Sequence, residues 1–178
     1  GGIANFSLDE LVRDPEVAFK TLLPSVFKLF PLEISQMSDK DLMALLKQAE
    51  SHFRRLRAVV SGDLISRHIE PRNAFIEPTF YSPTFGLQGR LDLYHTKEGD
   101  RSEIIELKSG SPYRKNTYNL SSTHYVQTLL YDLMVRAASG FREKPTSYIL
   151  YSSQDIDTLR PAPVVKSIQR EAIRLRNE

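Results

Sequence analysis

Apolar residues recur at helical spacing in three stretches of the chain. The longest follows Ser38, where Ser38 and Asp41 form a capping box and apolar positions then repeat every three or four residues as far as Val60. The same period appears over residues 126 to 137, and residues 165 to 177 predict a basic helix. These patterns predict one long amphipathic helix early in the chain and two helices in its second half.

The first 31 residues have a weaker helical pattern. Ser7 and Glu10 fit a capping box near the start of this segment. Pro24 and Pro31 are expected to interrupt helical hydrogen bonding, because proline has no backbone N–H. We therefore predict several short helical pieces here.

In the middle of the chain the period changes to two, which is typical of strands. Residues 74 to 81 and 86 to 95 flank the turn Ser82-Pro83-Thr84 and predict a hairpin or meander. A turn at residues 98 to 100 leads to a strand over residues 103 to 108, and a further short strand is predicted over residues 146 to 152. The order of helices, three strands, helix, strand and helix predicts an α/β domain.

Alternation within the predicted strands brings charged side chains together. Asp92 falls on the same face of its strand as Arg90. On the next strand Glu106 and Lys108 point to one face, while the apolar residues between and before them point to the other. If the two strands pair, Asp92, Glu106 and Lys108 form one cluster.

Two carboxylates and a lysine on one face suit metal-assisted cleavage of a phosphodiester. Mg²⁺ or Mn²⁺ prefers carboxylate oxygens, keeps several waters and lowers the pKa of a bound water toward neutrality. Asp92 and Glu106 are the candidate ligands, with the carbonyl of Leu107 completing the protein's share. Lys108 is expected to hold the attacking water and offset charge on the phosphate oxygens. The alternative is that Glu106 and Lys108 form an ion-pair ladder at a sheet edge, without catalytic meaning.

Polar stripes accompany two of the predicted helices. His124, Gln127 and Tyr131 share one stripe beside an apolar face, as site residues or as hydrogen-bonded side chains at a helix-sheet boundary. On the long early helix, arginines occupy positions 54, 55 and 57. Such a basic face is more often solvated than in contact with nucleic acid.

Composition adds limits on the compartment and on metal chemistry. The chain has 178 residues, 40% of them hydrophobic and 26% charged, with a formal net charge of +2, as expected of a folded domain. The absence of cysteine excludes disulfides and iron-sulfur clusters in this chain, so a metal must bind to oxygen or imidazole. No apolar run spans a bilayer, and we expect a soluble cytoplasmic protein, nucleoid-associated if bacterial, with no membrane partner. The opening Gly1-Gly2 is typical of a cleavage scar, which favours a piece of a longer protein.

Three segments together resemble the PD-(D/E)XK nucleases of the RecB type. They are Gly89-Arg90-Leu91-Asp92, then Glu106-Leu107-Lys108-Ser109-Gly110, then Gln127 with Tyr131 four positions later. Within that family, residues 82 to 92 are most similar to the nuclease domain of the replication helicase-nuclease that trims Okazaki-fragment flaps. The CRISPR-adaptation exonucleases are more distant relatives. The resemblance runs from about residue 77 to residue 131.

The resemblance implies a restriction-endonuclease-like core with a mixed central sheet of about four to five strands flanked by helices. We expect this core over residues 63 to 178, with an N-terminal helical segment over residues 1 to 62 packed on it in a single compact domain. The family pattern implies metal ligation by Asp92 and Glu106 and catalysis by Lys108, with Gln127 and Tyr131 lining the strand's path. Nucleic-acid contacts are expected from Arg90, Ser109, Gly110, Arg114, Lys115, His124, Gln127 and Tyr131.

This chain also departs from the family pattern. The family uses a histidine or glutamate on an upstream helix as a further ligand, for which His52, His68 and Glu77 are candidates by residue type. Each of these residue types is more often structural or solvated than a metal ligand. Close relatives hold an iron-sulfur cluster on four cysteines, which this chain lacks. It also lacks a GxxxxGK[ST] phosphate loop, so it is not itself an ATP-driven motor.

Together these features predict a divalent-metal-dependent deoxyribonuclease domain. Its expected substrate is single-stranded or flap DNA, and its expected partners are helicase or other domains of a longer parent chain. Activity could be absent from the isolated chain if the upstream ligand is missing. The main alternative is a noncatalytic nucleic-acid-binding module with a degenerate nuclease fold, and another is a protein-interaction domain whose charged residues are merely surface.

Overall fold

The computed structural model describes residues 14–97 and 101–177. Its contacts divide the chain into two compact units, Gly1–Arg72 and Asn73–Glu178. The boundary predicted from the sequence lies ten residues earlier, after residue 62. The capping box predicted at Ser7 and the turn predicted at residues 98 to 100 lie outside the described residues.

The N-terminal unit is helical over its described part. Its main helices are α1 (Pro15–Leu29), α2 (Pro31–Ser35) and α3 (Asp39–Ala58), followed by the π-helical turn Val59–Asp63 and the short α4 (Leu64–Ser66). Ser38 is confirmed as the N-cap of α3, since its hydroxyl accepts a hydrogen bond of 3.2 Å from the backbone N–H of Asp41. The Asp41 carboxylate accepts a hydrogen bond from the same hydroxyl at 2.6 Å, rather than from the backbone N–H of Ser38 as in a complete capping box.

The interruption predicted at Pro24 was wrong, because α1 continues through this residue. A proline removes one backbone hydrogen bond and disfavours helical torsions at the preceding residue, but α1 accommodates Pro24 without ending. Pro31 does begin a new helix, as expected of proline in a first-turn position.

The C-terminal unit combines seven described strands with two helices. These elements are β1 (Ala74–Ile76), β2 (Thr79–Ser82), β3 (Leu87–Arg90), β4 (Leu93–Lys97), β5 (Arg101–Lys108), α5 (Ser122–Ala138), β6 (Thr146–Tyr151), β7 (Leu159–Pro161) and α6 (Lys166–Asn177). The main sheet is mixed and has the strand order β1-β4-β5-β6-β7, in which β5 and β6 are parallel and the other neighbours are antiparallel. A separate hairpin pairs β2 with β3. A five-stranded mixed sheet with helices confirms the predicted fold class.

The two long strands predicted on either side of Ser82-Pro83-Thr84 are each broken into two. Backbone hydrogen bonds of 3.0 Å from Glu77 N–H to the Asp92 carbonyl and of 3.1 Å from Leu91 N–H to the Pro78 carbonyl bridge the breaks. Glu77 has φ of +53°, and Pro78 has no N–H to donate to a ladder. The outer halves therefore form the β2–β3 hairpin, while the inner halves, β1 and β4, join the main sheet.

Helix α5 packs against the sheet through two apolar clusters. The first brings Leu133, Met134 and Val135 of the helix together with Tyr94 of β4 and Ile104 of β5. The second joins residues of α5, β6 and the segments around them: Leu120, Tyr125, Leu129, Ile149, Tyr151 and Ala162. The face of β5 that carries Ile104 is therefore the face on which α5 lies. No helix in the described part of the chain is long and apolar enough to span a membrane.

Candidate active site

The C-terminal end of β5 presents Glu106 and Lys108 toward α5. Side chains alternate along a strand, so these two residues point to the same side as Ile104, which is fully buried against the helix. Glu106 is also buried, whereas Leu107 between them is 40% exposed. The face predicted for Glu106 and Lys108 is therefore the face they occupy.

A chain of hydrogen bonds connects β5 to α5. The Lys108 ammonium donates to Glu106 Oε1 at 2.9 Å and to Gln127 Oε1 at 2.8 Å. The Gln127 amide in turn donates to the Tyr131 hydroxyl at 2.9 Å. Gln127 and Tyr131 are four positions apart on one helix, so both reach the same side. The structure thus brings together four of the five predicted catalytic residues in one continuous network.

Asp92 reaches this network from the break between β3 and β4. Its Oδ2 accepts a hydrogen bond of 2.7 Å from the backbone N–H of Leu107. Because Leu93 is paired with Ile105 in the antiparallel register, Asp92 lies across from Glu106. The prediction that Asp92 continues the alternation begun at Arg90 was wrong, since β3 ends at Arg90 and pairs in the other sheet. Asp92 nevertheless reaches the predicted neighbour, Glu106.

Glu106 sits in an unfavourable place for a negative charge. Burial raises the pKa of its carboxyl above the ordinary value, and the nearby charge of Asp92 raises it further, while the hydrogen bond from Lys108 opposes both effects. Its Oε2 is buried and has no hydrogen-bond partner among the described residues. An unsatisfied buried carboxylate oxygen costs free energy unless a donor or cation reaches it.

Tyr131 is held closely by the β2–β3 hairpin. A Cβ atom added to Gly89 on β3 would lie 3.0 Å from Tyr131 Cε1 and 3.3 Å from Met134 Cε. Glycine at this position lets the strand approach the tyrosine ring. Burial raises the pKa of the Tyr131 hydroxyl, and the hydrogen bond with Gln127 partly offsets this. The absence of a side chain at Gly89 therefore allows β3 to pack closely against Tyr131 of α5.

His124 shares the helix with Gln127 but contacts a different group. Its Nδ1 lies 3.0 Å from the Tyr151 hydroxyl, which also accepts a hydrogen bond of 3.1 Å from the backbone N–H of Ser121. Burial lowers the pKa of His124, and the positive charge of Lys108 lowers it further. Sequence analysis did not single out Tyr151. Its proximity follows from the parallel pairing of Tyr151 with Lys108, which no local pattern reveals.

The predicted nucleic-acid contacts after β5 lie on an exposed loop. Ser109 and Gly110 are exposed, as are Arg114 and Lys115. The Arg114 guanidinium lies 5.3 Å from the ring centroid of Tyr113, which is 70% exposed. This loop presents cations and an aromatic ring to solvent.

Arg90 has a partner of its own in the C-terminal unit. Its guanidinium lies 3.6 Å from the Glu77 carboxylate, in an ion pair that is largely exposed. Glu77 is one of the three candidates for a further metal ligand, and its backbone N–H donates to the Asp92 carbonyl while its carboxylate pairs with Arg90. The other two candidates lie in the N-terminal unit, where His52 is half-buried and His68 is exposed.

The donors that could hold a metal ion are two adjacent carboxylates. Within the described ranges, no group of three or more histidine, aspartate or glutamate side chains is close enough to form a metal site. Asp92 and Glu106 still fit a hard cation, because Mg²⁺ keeps several waters and is commonly bound by one or two carboxylates. The unsatisfied, buried Glu106 Oε2 is the observation that favours this fit.

The sequence did not reveal a further buried polar pair, His95 and Glu103. His95 Nδ1 lies 2.7 Å from Glu103 Oε2, both side chains are 1% exposed, and Arg101 donates to the other oxygen of Glu103 at 2.6 Å. His95 and Glu103 are direct cross-strand partners in β4 and β5. Only the register of the hairpin reveals this pair, and the turn that sets the register lies outside the described residues.

Comparisons with known proteins inform on the fold. No family model and no curated protein matches this chain. Among solved structures, the chain is similar to that of a candidate exonuclease from Eubacterium rectale, with a TM-score of 0.54 and 17% sequence identity. The alignment covers 94% of this chain but 61% of the other. The likeness shows a shared fold, and this chain spans about three-fifths of that protein's length.

Proposed function

We propose that this chain is a divalent-metal-dependent nuclease domain that cleaves phosphodiester bonds in single-stranded or flap DNA. The observation that carries the proposal is the network of Glu106, Lys108, Gln127 and Tyr131, placed across from Asp92. It combines two acidic ligands, a fixed cation and two polar side chains at one end of a sheet. A surface ion pair alone would account for neither the burial of Glu106 nor its connection to α5.

In this proposal Asp92 and Glu106 hold Mg²⁺ or Mn²⁺, with the Leu107 carbonyl as a further oxygen donor. The bound cation would supply a water of lowered pKa and neutralise charge on the phosphate. The chain itself orients the carboxylates: the Leu107 N–H fixes Asp92, and Lys108 fixes one oxygen of Glu106. The other oxygen of Glu106 is buried without a hydrogen-bond partner among the described residues, and a bound cation would satisfy it.

Lys108 contributes a positive charge held in one direction. Two acceptors, on Glu106 and on Gln127, restrict where its ammonium lies. A cation prepositioned beside the scissile phosphate stabilises the charge that develops on the phosphate oxygens without reorganising in the reaction. Gln127 and Tyr131 position Lys108 and line the path of the strand.

The similar fold of the candidate exonuclease supports the proposal at the level of nuclease chemistry. Because this chain spans only part of that protein's length, association with helicase or other domains of a longer parent chain is also part of the proposal. The preference for single-stranded or flap DNA rests on the resemblance of the sequence motifs.

A second candidate is a noncatalytic nucleic-acid-binding module that keeps the nuclease fold. The absence of a third acidic or histidine ligand among the described residues favours it. It predicts binding of single strands through the exposed loop residues Arg114 and Lys115, without a response to metal.

Cleavage of 5′- and 3′-labelled flap substrates, with Mg²⁺, Mn²⁺ or chelator, separates the two. The nuclease proposal predicts products with metal, none in chelator, and none from Lys108→Met or Glu106→Gln. Lys97→Met, on the neighbouring strand β4, is the matched control and should cleave like wild type. Binding of the flap with no product under any metal condition would favour the noncatalytic module.

A further inference from the structure

The N-terminal unit contains a groove that is separate in sequence from the candidate active site. Its volume is about 960 Å³, and it lies between α1 and α3. Four cationic side chains and two aromatic rings dominate its lining: Lys20, Lys47, Arg54, Arg57, Phe19 and Phe53.

The cations on α3 form a row along one face of the helix. Arg54 and Arg57 follow Lys47 by seven and ten positions, and intervals of three, four and seven residues keep side chains on one face. At 1.5 Å rise per residue, the row from Lys47 to Arg57 is about 15 Å long. Lys20 adds a cation from α1 on the opposite wall. The row is long enough to follow a few successive phosphates of a strand.

These four side chains are exposed, and none has an ion-pair partner among the residues that the structure describes. Glu50 is the one acidic residue in the lining. Arg55, although adjacent in sequence, is half-buried and is not part of the lining. The groove therefore concentrates positive charge, whereas the net charge of the whole chain is only +2.

Two aromatic rings lie at the same place. The ring centroids of Phe19 and Phe53 are 4.9 Å apart with an interplanar angle of 45°, and both residues are half-buried. Cations that follow a backbone, beside aromatic surface on which bases can stack, are the combination used by proteins that bind single strands without sequence preference. A solvated basic face needs neither a groove nor aromatic lining.

We propose that this groove binds a single-stranded nucleic acid, with Lys20, Lys47, Arg54 and Arg57 on the phosphates and the phenylalanine rings against bases. The concave shape between two helices suits a flexible strand better than a flat lipid surface. The choice of nucleic acid over another polyanion rests on the proposed nuclease function. The groove would be a binding site additional to the Asp92 and Glu106 site.

The test is the salt dependence of binding to fluorescent oligo-dT, measured in chelator so that the metal site takes no part. Each phosphate contact to a single strand adds about 0.7 to the slope of log affinity against log salt. Arg54→Ala with Arg57→Ala should lower the slope by about 1.4, so between 50 and 200 mM salt wild type should lose about sevenfold more affinity than the variant. Lysine at both positions should restore the slope.

The matched control is Lys28→Ala with Lys40→Ala, which removes two exposed cations from α1 and α3 outside the groove and should leave the slope unchanged. Circular dichroism should show the same helix content in every variant. A wild-type slope in the arginine double variant, or no wild-type binding, would overturn the inference. Lost binding to anionic lipid vesicles with an unchanged oligo-dT slope would assign the groove to a membrane surface and also overturn it.

Failure of the nuclease proposal has a different signature. Absent cleavage and absent Mn²⁺ binding, with a salt slope that still depends on Arg54 and Arg57, would reject the metal site and keep the groove. Metal-dependent cleavage, together with a salt slope that does not change in the arginine double variant, would keep the metal site and reject the groove.

Discussion

Replacing Asp92 with asparagine keeps the shape of the side chain and removes one negative charge beside Glu106. In wild type, Asp92 lies across from Glu106, and its charge contributes to the raised pKa of that carboxyl. An asparagine oxygen can still accept the hydrogen bond of 2.7 Å from the Leu107 N–H. The substitution therefore isolates the electrostatic cost of keeping two carboxylates together without a cation.

The size of this cost follows from Coulomb's law. Directly opposed residues on antiparallel strands have Cα atoms about 5 Å apart, and two unit charges at that distance repel by about 3 kcal/mol at an effective dielectric near 20. Exchanging a charged acceptor for a neutral one at the Leu107 N–H loses about 1 kcal/mol. The substitution also loses the attraction between Asp92 and the Lys108 ammonium, which lies 2.9 Å from Glu106 Oε1. We expect a net stabilisation of about 1 kcal/mol without metal, which raises the melting temperature by about 2 to 4 °C.

Thermal melts in chelator and in Mg²⁺ test both consequences. Asp92→Asn should melt higher than wild type in chelator, and it should lose the added stability that metal gives wild type, about 1.4 kcal/mol at tenfold excess over the dissociation constant. Asp157→Asn is the control: Asp157 is exposed at a φ of +50°, which asparagine accepts, so neither melt should change. A destabilised Asp92→Asn with an undiminished Mg²⁺ shift would refute the metal site.

Three further predictions concern the C-terminal unit. Gly89→Ala should destabilise the protein by about 1 to 3 kcal/mol in urea unfolding and reduce cleavage, because the new Cβ crowds Tyr131; wild-type stability would contradict this contact. The pKa of Glu106 is raised in the folded state, so its contribution to stability is full below the ordinary value of 4.5 and is lost as pH rises through the folded value. In chelator, the free energy of unfolding of wild type relative to Glu106→Gln should therefore fall above pH 4.5. A relative stability that rises with pH would contradict a raised pKa of Glu106 in the folded state. Arg114→Ala should lower the salt slope for oligo-dT by about 0.7, whereas Tyr131→Ala should weaken binding without changing the slope.

The period-two pattern correctly placed Glu106 and Lys108 on one face of β5, because alternation within a strand does not depend on which strands or helices pack against it. It did not reveal that the fully buried Ile104 on this face packs against α5. The same logic misplaced Asp92 on a continuous strand. Glu77 adopts a positive φ at the break, a conformation that is uncommon for residues other than glycine and that hydrophobic periodicity does not reveal.

Contacts between elements distant in sequence were the hardest to predict. The stripe of Gln127 and Tyr131 was visible in the sequence, but its hydrogen bond to Lys108 depends on where α5 crosses the sheet. The buried pair of His95 and Glu103 depends on hairpin register. The groove beside α3 depends on how α1 packs against it, because Phe19 and Lys20 line the groove from α1.

The central claim is that Asp92 and Glu106 hold a divalent cation beside which Lys108 acts. Calorimetric titration of Mn²⁺ into wild type, Glu106→Gln and Lys108→Met tests it most directly. Glu106→Gln removes a ligand and should abolish binding, whereas Lys108→Met removes a neighbouring positive charge and should bind Mn²⁺ at least as tightly as wild type. No binding by wild type, or equal loss of affinity in both variants, would contradict the account.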